Sequence, residues 1–185
     1  IRQPDYAVDG IINYNIYADK LSYDQPIKLI GADYAPLNPV YGKNNGTRRE
    51  VACKVSDALI TSGGADKYNI CYEMAKRLAP EYPDVCFHVG SGAYNTHLND
   101  LLELARKYSN VKVEQNVKNM KALQEVCDIA VSSAGSTMYE LAVLGVPTIT
   151  YYFVDNQKMI AEAFAEKACI ENAGDYSKDR GKVLE

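Results

Sequence analysis

The stretch Val131-Ser-Ser-Ala-Gly-Ser-Thr-Met-Tyr-Glu140, followed by Leu141-Ala-Val-Leu-Gly-Val-Pro147, decides how the middle of this chain folds. An apolar run that begins at Ile129 stops abruptly at small hydroxyl and glycine residues, and a helical pattern starts at Ser136 or Thr137. A strand, a tight turn and a helix N-terminus leave backbone N–H groups free to bind an anion. The stretch therefore predicts an anion site, although an ordinary turn with a Ser or Thr cap fits the same pattern.

Glu140 lies about one helical turn beyond Ser136 and Thr137, on the same face of the predicted helix. Its carboxylate can accept hydrogen bonds from sugar hydroxyls, while the Ser and Thr hydroxyls can donate to a phosphate. The stretch thus places groups for a phosphate and for a sugar side by side.

The composition limits the class of protein. With 185 residues, of which 47% are hydrophobic, we expect one large domain, or one domain plus a fragment, with a substantial core. A net charge of −4 and a pI near 5.3 argue against nucleic acid and anionic membranes as main partners. We recognise no signal peptide and no apolar run that could cross a bilayer, so we expect a cytoplasmic protein.

The cysteines are odd in number and show no C-x-x-C spacing. We predict that all are buried free thiols in a reducing compartment, because each lies in an apolar setting. They are Cys53, Cys71, Cys86, Cys127 and Cys169. No His/Cys/Asp cluster has the spacing of metal ligands, so we expect neither a metal nor another cofactor.

From about residue 57 onward, short apolar runs alternate with helical patterns. Strands are predicted at 58–61, 85–89, 111–114, 129–131 and 148–152, with a final short strand at 169–170; helices are predicted near 70–78, 98–105, 120–125, 137–144 and 157–167. Repeated βα units of this length predict an α/β fold, a Rossmann-like parallel sheet with helices on both faces.

The first fifty residues follow a different pattern. Short strands are predicted at 9–13 and 28–30, within extended chain rich in Pro and Tyr, and residues 44–49 are predicted to form a mobile loop. We interpret residues 1–50 as the tail of a preceding domain plus a linker, and residues 51–185 as the Rossmann-like domain. The chain is expected to be a piece of a longer protein.

Small-residue turns follow three of the predicted strands, at 62–64, 90–92 and 132–137. Ligands of open parallel sheets lie beyond the C-terminal ends of the strands, where glycines let them approach the backbone. Because neither G-x-G-x-x-G nor G-x-x-x-x-G-K-[ST] is present, NAD and ATP are disfavoured. A nucleotide-diphosphate sugar has the shape to lie across these turns, and we expect the 90–92 turn to contribute least.

Five segments, in this order, resemble the C-terminal half of GT-B-fold nucleotide-sugar enzymes. They are Ile60-Thr-Ser-Gly-Gly-Ala-Asp66, Asn116-Val-Lys-Asn-Met120, Ser133-Ala-Gly-Ser-Thr-Met-Tyr-Glu140, Leu144-Gly-Val-Pro-Thr148 and Asp155-Asn-Gln157. The chain looks most like the UDP-sugar hydrolase family of pseudaminic acid biosynthesis and the related spore-coat polysaccharide proteins. It is more remotely similar to the peptidoglycan N-acetylglucosaminyltransferases. The segment 30–39 resembles that family's linker, so the likeness covers nearly the whole chain.

The resemblance implies a UDP-sugar site and gives residues their roles in it. Gly63 and Gly64 would let the first loop approach the pyrophosphate, with Ser62 as a donor. The pyrophosphate would be held by Gly135, Ser136 and Thr137, and Glu140 would bind the ribose hydroxyls. The uracil pocket would be formed by Val117 and Met120, and the sugar or phosphates would be reached by Asn156 and Gln157.

Simpler interpretations stay open for several of these residues. Met120 fits a plain core residue, Asn156 and Gln157 fit helix capping, and Asp66 fits an N-cap better than a ligand.

The resemblance also implies that catalysis needs a second half. In the hydrolase family the base is a histidine of the N-terminal domain, which is essentially absent here. Neither His88 in a predicted strand nor His97 at the start of a helix has a nucleophile pattern around it. We therefore expect this chain to bind a UDP-sugar without turnover, with the N-terminal domain of the same protein as partner. Three functions stay open: UDP-sugar hydrolase, glycosyltransferase with the same donor site, and non-catalytic nucleotide-binding module.

Overall fold

A computed structural model describes residues 7–43, 49–168 and 170–184 of the chain. The strands are β1 (Gly10–Asn13), β2 (Ile27–Ile30), β3 (Asp57–Thr61), β4 (Cys86–Ser91), β5 (Val111–Gln115), β6 (Ile129–Ser133), β7 (Thr148–Tyr152) and β8 (Glu171–Asp175). The α-helices are α1 (Ile70–Glu81), α2 (Leu98–Lys107), α3 (Met120–Val126), α4 (Thr137–Leu144), α5 (Asp155–Ala168) and α6 (Arg180–Leu184). Within the described ranges, no helix has both the length and the hydropathy needed to span a bilayer.

Six of the strands form one parallel sheet in the order β5-β4-β3-β6-β7-β8. Within this sheet, the chain first forms the central strand β3 and then adds β4 and β5 on one side of it. It then returns to the other side of β3, where it forms β6, β7 and β8. This is the doubly wound order, in which the direction of winding reverses between two central strands. The predicted Rossmann-like α/β fold is confirmed.

Alternation along β3 divides the core between the two faces of the sheet. Ala58 and Ile60 pack on one face with buried residues of α1, α2 and α6. Leu59 packs on the other face with Leu141 and Leu144 of α4. Because β3 is covered on both faces, nearly every residue of its Ala-Leu-Ile-Thr run is apolar and buried, as a central parallel strand requires.

The N-terminal segment carries its own two-stranded sheet, in which β1 and β2 pair in parallel. Both strands were predicted. The segment is attached to the main domain, since the Tyr139 hydroxyl accepts a hydrogen bond from the Ile16 N–H at 2.9 Å and Lys167 pairs with Asp19. A domain boundary at residue 50 remains a proposal, and residues 44–48 of the predicted mobile loop lie outside the described part of the chain.

The prediction of a final strand at residues 169–170 is wrong. Residue 169 lies outside the described ranges, Ile170 is not in a strand, and β8 runs from Glu171 to Asp175 at the sheet edge. Its sequence, Glu-Asn-Ala-Gly-Asp, has no apolar alternation, because an edge strand needs less burial than a central one. A register irregularity at Thr150/Tyr151 adds to the departure from a regular pattern.

The prediction that all the cysteines are buried is also wrong. Cys71 and Cys127 are buried, but Cys53 is exposed and Cys86 is only partly covered. Cys53 lies in the exposed segment before β3, where its apolar neighbours in sequence do not pack around it. The four described thiols are free, as predicted.

This difference in burial predicts different thiol reactivities. Burial, assisted by the negative charge of Asp57, raises the pKa of Cys127 from 9.0 to about 12, and burial raises the pKa of Cys71 as well. Since the thiolate is the nucleophile, Cys127 and Cys71 should react much more slowly near neutral pH than an exposed thiol. We expect iodoacetamide to label Cys53 well before Cys71 and Cys127 in a time course read by peptide mass spectrometry. Equal labelling rates would contradict the packing described here.

Candidate functional site

The candidate site lies where the winding of the sheet reverses. β3 and β6 are neighbours there, with Thr61 paired to Ser132 near their C-terminal ends. The loop 62–64 follows β3, and the turn 134–136 connects β6 to α4. Doubly wound sheets bind their ligands in the crevice that opens at this point.

Helix α4 points its N-terminus into this crevice. Ser136 occupies the N-cap position, but its side chain makes no capping hydrogen bond. The structure therefore lacks the ordinary Ser cap that the simpler interpretation of this sequence predicts. The Ser136 and Thr137 hydroxyls lie beside the positive end of the helix dipole, where an anion is favoured. Gly135 contributes space rather than a donor, because its N–H already donates to the Ser133 carbonyl at 2.8 Å.

Two adjoining cavities open at the N-terminus of α4. The larger, about 380 Å³, extends along the ends of β3, β4 and β5, and the smaller, about 280 Å³, extends toward α5. Four residues line both: Gly63, Gly64, Ser136 and Thr137. The two spaces thus meet over the loop after β3 and the start of α4.

All but one of the residues predicted for the site line these cavities. The larger cavity adds Val117, Met120 and Glu140, and the smaller adds Ser62, Gly135 and Gln157. Met120 is only half-buried, so it is a wall residue of the larger cavity rather than the plain core residue of the simpler interpretation. Asn156 is the exception, because it is exposed in the first turn of α5 and lines neither cavity.

The 90–92 segment contributes more than its sequence suggested. Gly90, Ser91 and Gly92 all line the larger cavity, and the first two belong to β4 rather than to a turn. A Cβ on Gly92 would lie 2.5 Å from the Gly64 carbonyl oxygen. Gly92 is therefore needed so that the loop after β3 can rest against the end of β4.

Glu140 is held by two residues that the sequence did not single out. The Gln124 side-chain amide donates to Glu140 Oε2 at 2.9 Å, and the Tyr41 hydroxyl donates to Gln124 Oε1 at 2.9 Å. Gln124 is completely buried, so its amide is fixed by these partners. Burial, followed by the negative charge of Glu140, raises the pKa of Tyr41, which therefore stays a neutral donor. The chain Tyr41–Gln124–Glu140 holds the Glu140 carboxylate in place at the wall of the larger cavity.

We expect Tyr41→Phe to weaken this support without changing the shape of the core. The Gln124 carbonyl would lose its buried donor, which costs about 1–3 kcal/mol of the free energy of unfolding. Urea unfolding followed by circular dichroism measures this loss. Tyr82→Phe is the matched control, because Tyr82 is 52% exposed and lies far from Glu140 in the chain. Equal unfolding free energies for the two variants would show that the Tyr41 hydroxyl does not support Gln124.

Asp66 acts as a helix cap. Its Oδ1 accepts from the Ile70 N–H at 2.8 Å and its Oδ2 from the Cys71 N–H at 3.1 Å. The predicted capping role is therefore observed, although Asp66 lies four residues before α1. Left-handed backbone at Asp66 and Asn69 brings the carboxylate back over the helix start. Both of its oxygens accept from the helix start, so the carboxylate is fixed in this position at the wall of the smaller cavity.

Ser62 and Gln157 form part of the wall of the smaller cavity. The Ser62 hydroxyl is buried and has no well-formed hydrogen bond. It lies close to the Tyr151 hydroxyl, whose pKa is raised by burial and lowered in part by Ser62. Because the Ser62 O–H has no acceptor among the described residues, it can donate a hydrogen bond to a ligand. Gln157 Oε1 accepts from the Phe153 N–H at 3.3 Å, so this side chain closes the turn before α5 and also faces the cavity.

Comparison with known proteins fits this geometry. The model of the family described as glycosyltransferase family 28 C-terminal domain matches residues 58–179, which include every strand and loop of the candidate site. The chain belongs to this family. The predicted resemblance to the C-terminal half of a GT-B enzyme is thereby confirmed.

Two curated relatives share moderate identity with this family 28 domain. An uncharacterized protein of Methanocaldococcus jannaschii is 28% identical over 117 residues, which are 62% of this chain and 24% of that protein. The spore coat polysaccharide biosynthesis protein SpsG of Bacillus subtilis is 25% identical over 174 residues, which are 90% of this chain and 50% of that protein. The chain thus spans about a quarter and about half of the length of these two relatives.

A solved structure supports the fold assignment. The glycotransferase of kitacinnamycin superposes with a TM-score of 0.50 at 22% identity, over 70% of this chain and 33% of that chain. At this level of identity the match concerns the fold alone.

Proposed function

We propose that this domain binds the nucleoside diphosphate of a UDP-sugar, and that the full-length enzyme uses the sugar as a donor in polysaccharide synthesis. The observation that carries the proposal is the pair of cavities that meet at Gly63, Gly64, Ser136 and Thr137. A UDP-sugar has the same layout, with a compact diphosphate between two larger groups. The diphosphate belongs at the shared wall, because helix N-termini favour anions.

The larger cavity is proposed to take uridine. Glu140 lines this cavity with its carboxylate held by Gln124, and that carboxylate would accept hydrogen bonds from the ribose hydroxyls. Val117 and Met120 form an apolar wall for the uracil ring, and the left-handed backbone at Asn116 (φ 48°) turns the chain sharply at this wall. Strained backbone of this kind is common at ligand sites.

The smaller cavity is proposed to take the sugar and the outer phosphate. Ser62 offers an unused buried hydroxyl there, and Lys67 on the same wall supplies a positive charge near the diphosphate. Gln157 lies where it can contact sugar hydroxyls. Asn156, which was predicted to share this role, is exposed and lines neither cavity.

Glycosyl transfer is the reaction we propose for the full-length enzyme. The family match supports a glycosyltransferase-type domain, and the name of the SpsG relative supports a role in polysaccharide synthesis. Hydrolysis of the UDP-sugar is the second candidate, favoured by the resemblance of the five sequence segments to the hydrolase family. Both reactions would use the same donor site.

A second domain of the same protein is proposed to supply the catalytic base. Among the described residues that line the two cavities there is no histidine, Asp66 caps α1, and Glu140 is assigned to the ribose. The third acid, Glu114, lies at the β5 end of the larger cavity, where we place uridine rather than the reacting bond. The bond to be broken would therefore be activated from outside this domain.

Isothermal titration calorimetry of the chain with UDP, UMP and uridine tests the proposal. We expect UDP to bind, and affinity to fall at least about tenfold for uridine, because the diphosphate contacts would be lost. GDP should bind more weakly than UDP if Val117 and Met120 contact the pyrimidine. Absence of UDP binding at millimolar nucleotide would overturn the proposal and favour a non-catalytic module of the same fold.

A further inference from the structure

Three metal-binding side chains converge on the sheet, beside the candidate donor site. Asp57 begins β3, and Cys86 and His88 lie two residues apart on β4, so their side chains share one face. The donor atoms of the three lie within 4.8 Å of one another. The register of the sheet places them together, since Asp57 pairs directly with Cys86.

A fourth residue orients the histidine. His88 Nδ1 lies 2.9 Å from Glu114 Oε1, a carboxylate on the neighbouring strand β5, while His88 Nε2 lies 2.8 Å from Asp57 Oδ1. A neutral imidazole that donates from Nδ1 to Glu114 has a lone pair on Nε2, facing a carboxylate oxygen. Two electron pairs at this separation need a positive charge between them, either a proton or a metal ion.

The position of the cysteine fits a metal ion. Cys86 Sγ lies 3.6 Å from His88 Nε2. Two ligands of a tetrahedral Zn²⁺, with Zn–S of about 2.3 Å and Zn–N of about 2.0–2.1 Å, are about 3.6 Å apart. The same separation also fits a weak hydrogen bond between the thiol and the imidazole, so a metal is favoured by the convergence of all three donor atoms. Asp57 Oδ1 lies 2.8 Å from His88 Nε2, which is about half an ångström closer than two ligands of a tetrahedral Zn²⁺ would be. The Asp57 side chain is partly exposed and has room to make this adjustment.

We propose that Asp57, Cys86 and His88 bind a Zn²⁺ ion, with Glu114 as the residue that orients His88. A carboxylate on the second ring nitrogen of a metal-bound histidine is a common support for zinc. Water would take the fourth position. The site would fasten β3 to β4, and through Glu114 to β5, along a face where His88 is 7% exposed.

The surroundings leave access for the ion. Cys86 and Glu114 are only partly buried, and Lys112, whose ammonium contacts the Cys86 sulfur, is exposed and able to swing away. None of the three proposed ligands lines either cavity of the donor site. Glu114 does line the larger cavity, so the variants of the three ligands, rather than Glu114→Gln, test the zinc proposal independently of UDP binding.

Metal titration of the tag-free protein tests the proposal. After removal of metal with a chelator, we expect one Zn²⁺ per chain with micromolar or tighter affinity in competition with a chromophoric chelator. Co²⁺ should give a thiolate-to-metal charge-transfer band in the near ultraviolet. Cys86→Ser should abolish this band and weaken Zn²⁺ binding at least about tenfold, and Glu114→Gln should weaken it about 10–100-fold.

Cys53→Ser is the matched control, because Cys53 is an exposed thiol that is not part of the cluster of donor atoms, and it should bind Zn²⁺ like the wild type. Asp57→Asn provides a second ligand variant in case Cys86→Ser folds poorly, with circular dichroism to check both. Zinc should also protect Cys86 from alkylation. Binding weaker than about 100 μM in the wild type, or equal binding by the Cys86→Ser and Cys53→Ser variants, would overturn the proposal and leave His88 as an imidazolium between two carboxylates.

Discussion

Glu140→Ala will weaken UDP binding by about 1–3 kcal/mol, which corresponds to about 5- to 150-fold in Kd. The variant removes the acceptor proposed for the ribose hydroxyls and leaves the buried Gln124 amide without its partner at 2.9 Å. Calorimetry with UDP measures the loss. Glu162→Ala is the matched control, since Glu162 is an exposed glutamate on α5 that pairs only with Lys158 among the ion pairs formed by described residues.

A deoxy ligand separates a ribose contact from a general disturbance of the site. The wild type should bind UDP more tightly than 2′-deoxy-UDP, because Glu140 would lose a hydroxyl partner. Glu140→Ala should bind both ligands alike. If the variant retains the full preference for the ribose 2′-hydroxyl, the ribose role proposed for Glu140 is wrong.

Gly92→Ala will both destabilise the chain and lower its affinity for UDP. The new Cβ would lie 2.5 Å from the Gly64 carbonyl oxygen and 2.6 Å from Gly64 Cα, both backbone atoms. Overpacking of this kind costs about 1–3 kcal/mol, or about 2–12 °C in Tm for a chain of this size. Since Gly64 must move, and Gly64 lines both cavities, we expect UDP affinity to fall at least about tenfold.

Gly42→Ala is the control for this variant. Gly42 is exposed, and nothing lies within 4 Å of an added Cβ. Its Tm, measured by differential scanning fluorimetry, and its UDP affinity should match the wild type. A Gly92→Ala protein with wild-type Tm and affinity would mean that the loop after β3 does not rest on the end of β4 as described.

The β6–α4 unit could be predicted because its signals are local. An apolar run, a cluster of small residues and a helical pattern occur in sequence, and they became β6, the turn and α4 with almost the predicted bounds. The position of Glu140 one turn into α4 followed from helix geometry alone. The loop 62–64 was found for the same reason, since it directly follows the buried run of β3.

Contacts between distant segments could not be predicted in this way. Tyr41 and Gln124 are separated by 83 residues, and Gln124 resembles an ordinary polar residue of a short helix until its complete burial is seen. The cluster at His88 has no ligand spacing along the chain, because Asp57 and Cys86 meet only through strand register. β8 was misplaced because an edge strand needs no apolar pattern.

The site at the reversal point is tested most directly by a ¹H–¹⁵N correlation spectrum of the chain titrated with UDP. We predict that the largest amide shifts will fall on Gly63, Gly64, Ser136 and Thr137, with smaller ones on Val117 and Glu140. The groove between α1, β8 and α6, lined by Met74, Ala173 and Val183 among others, should remain unchanged. Shifts concentrated in that groove, or absent from the start of α4 at saturating UDP, would contradict the proposed donor site.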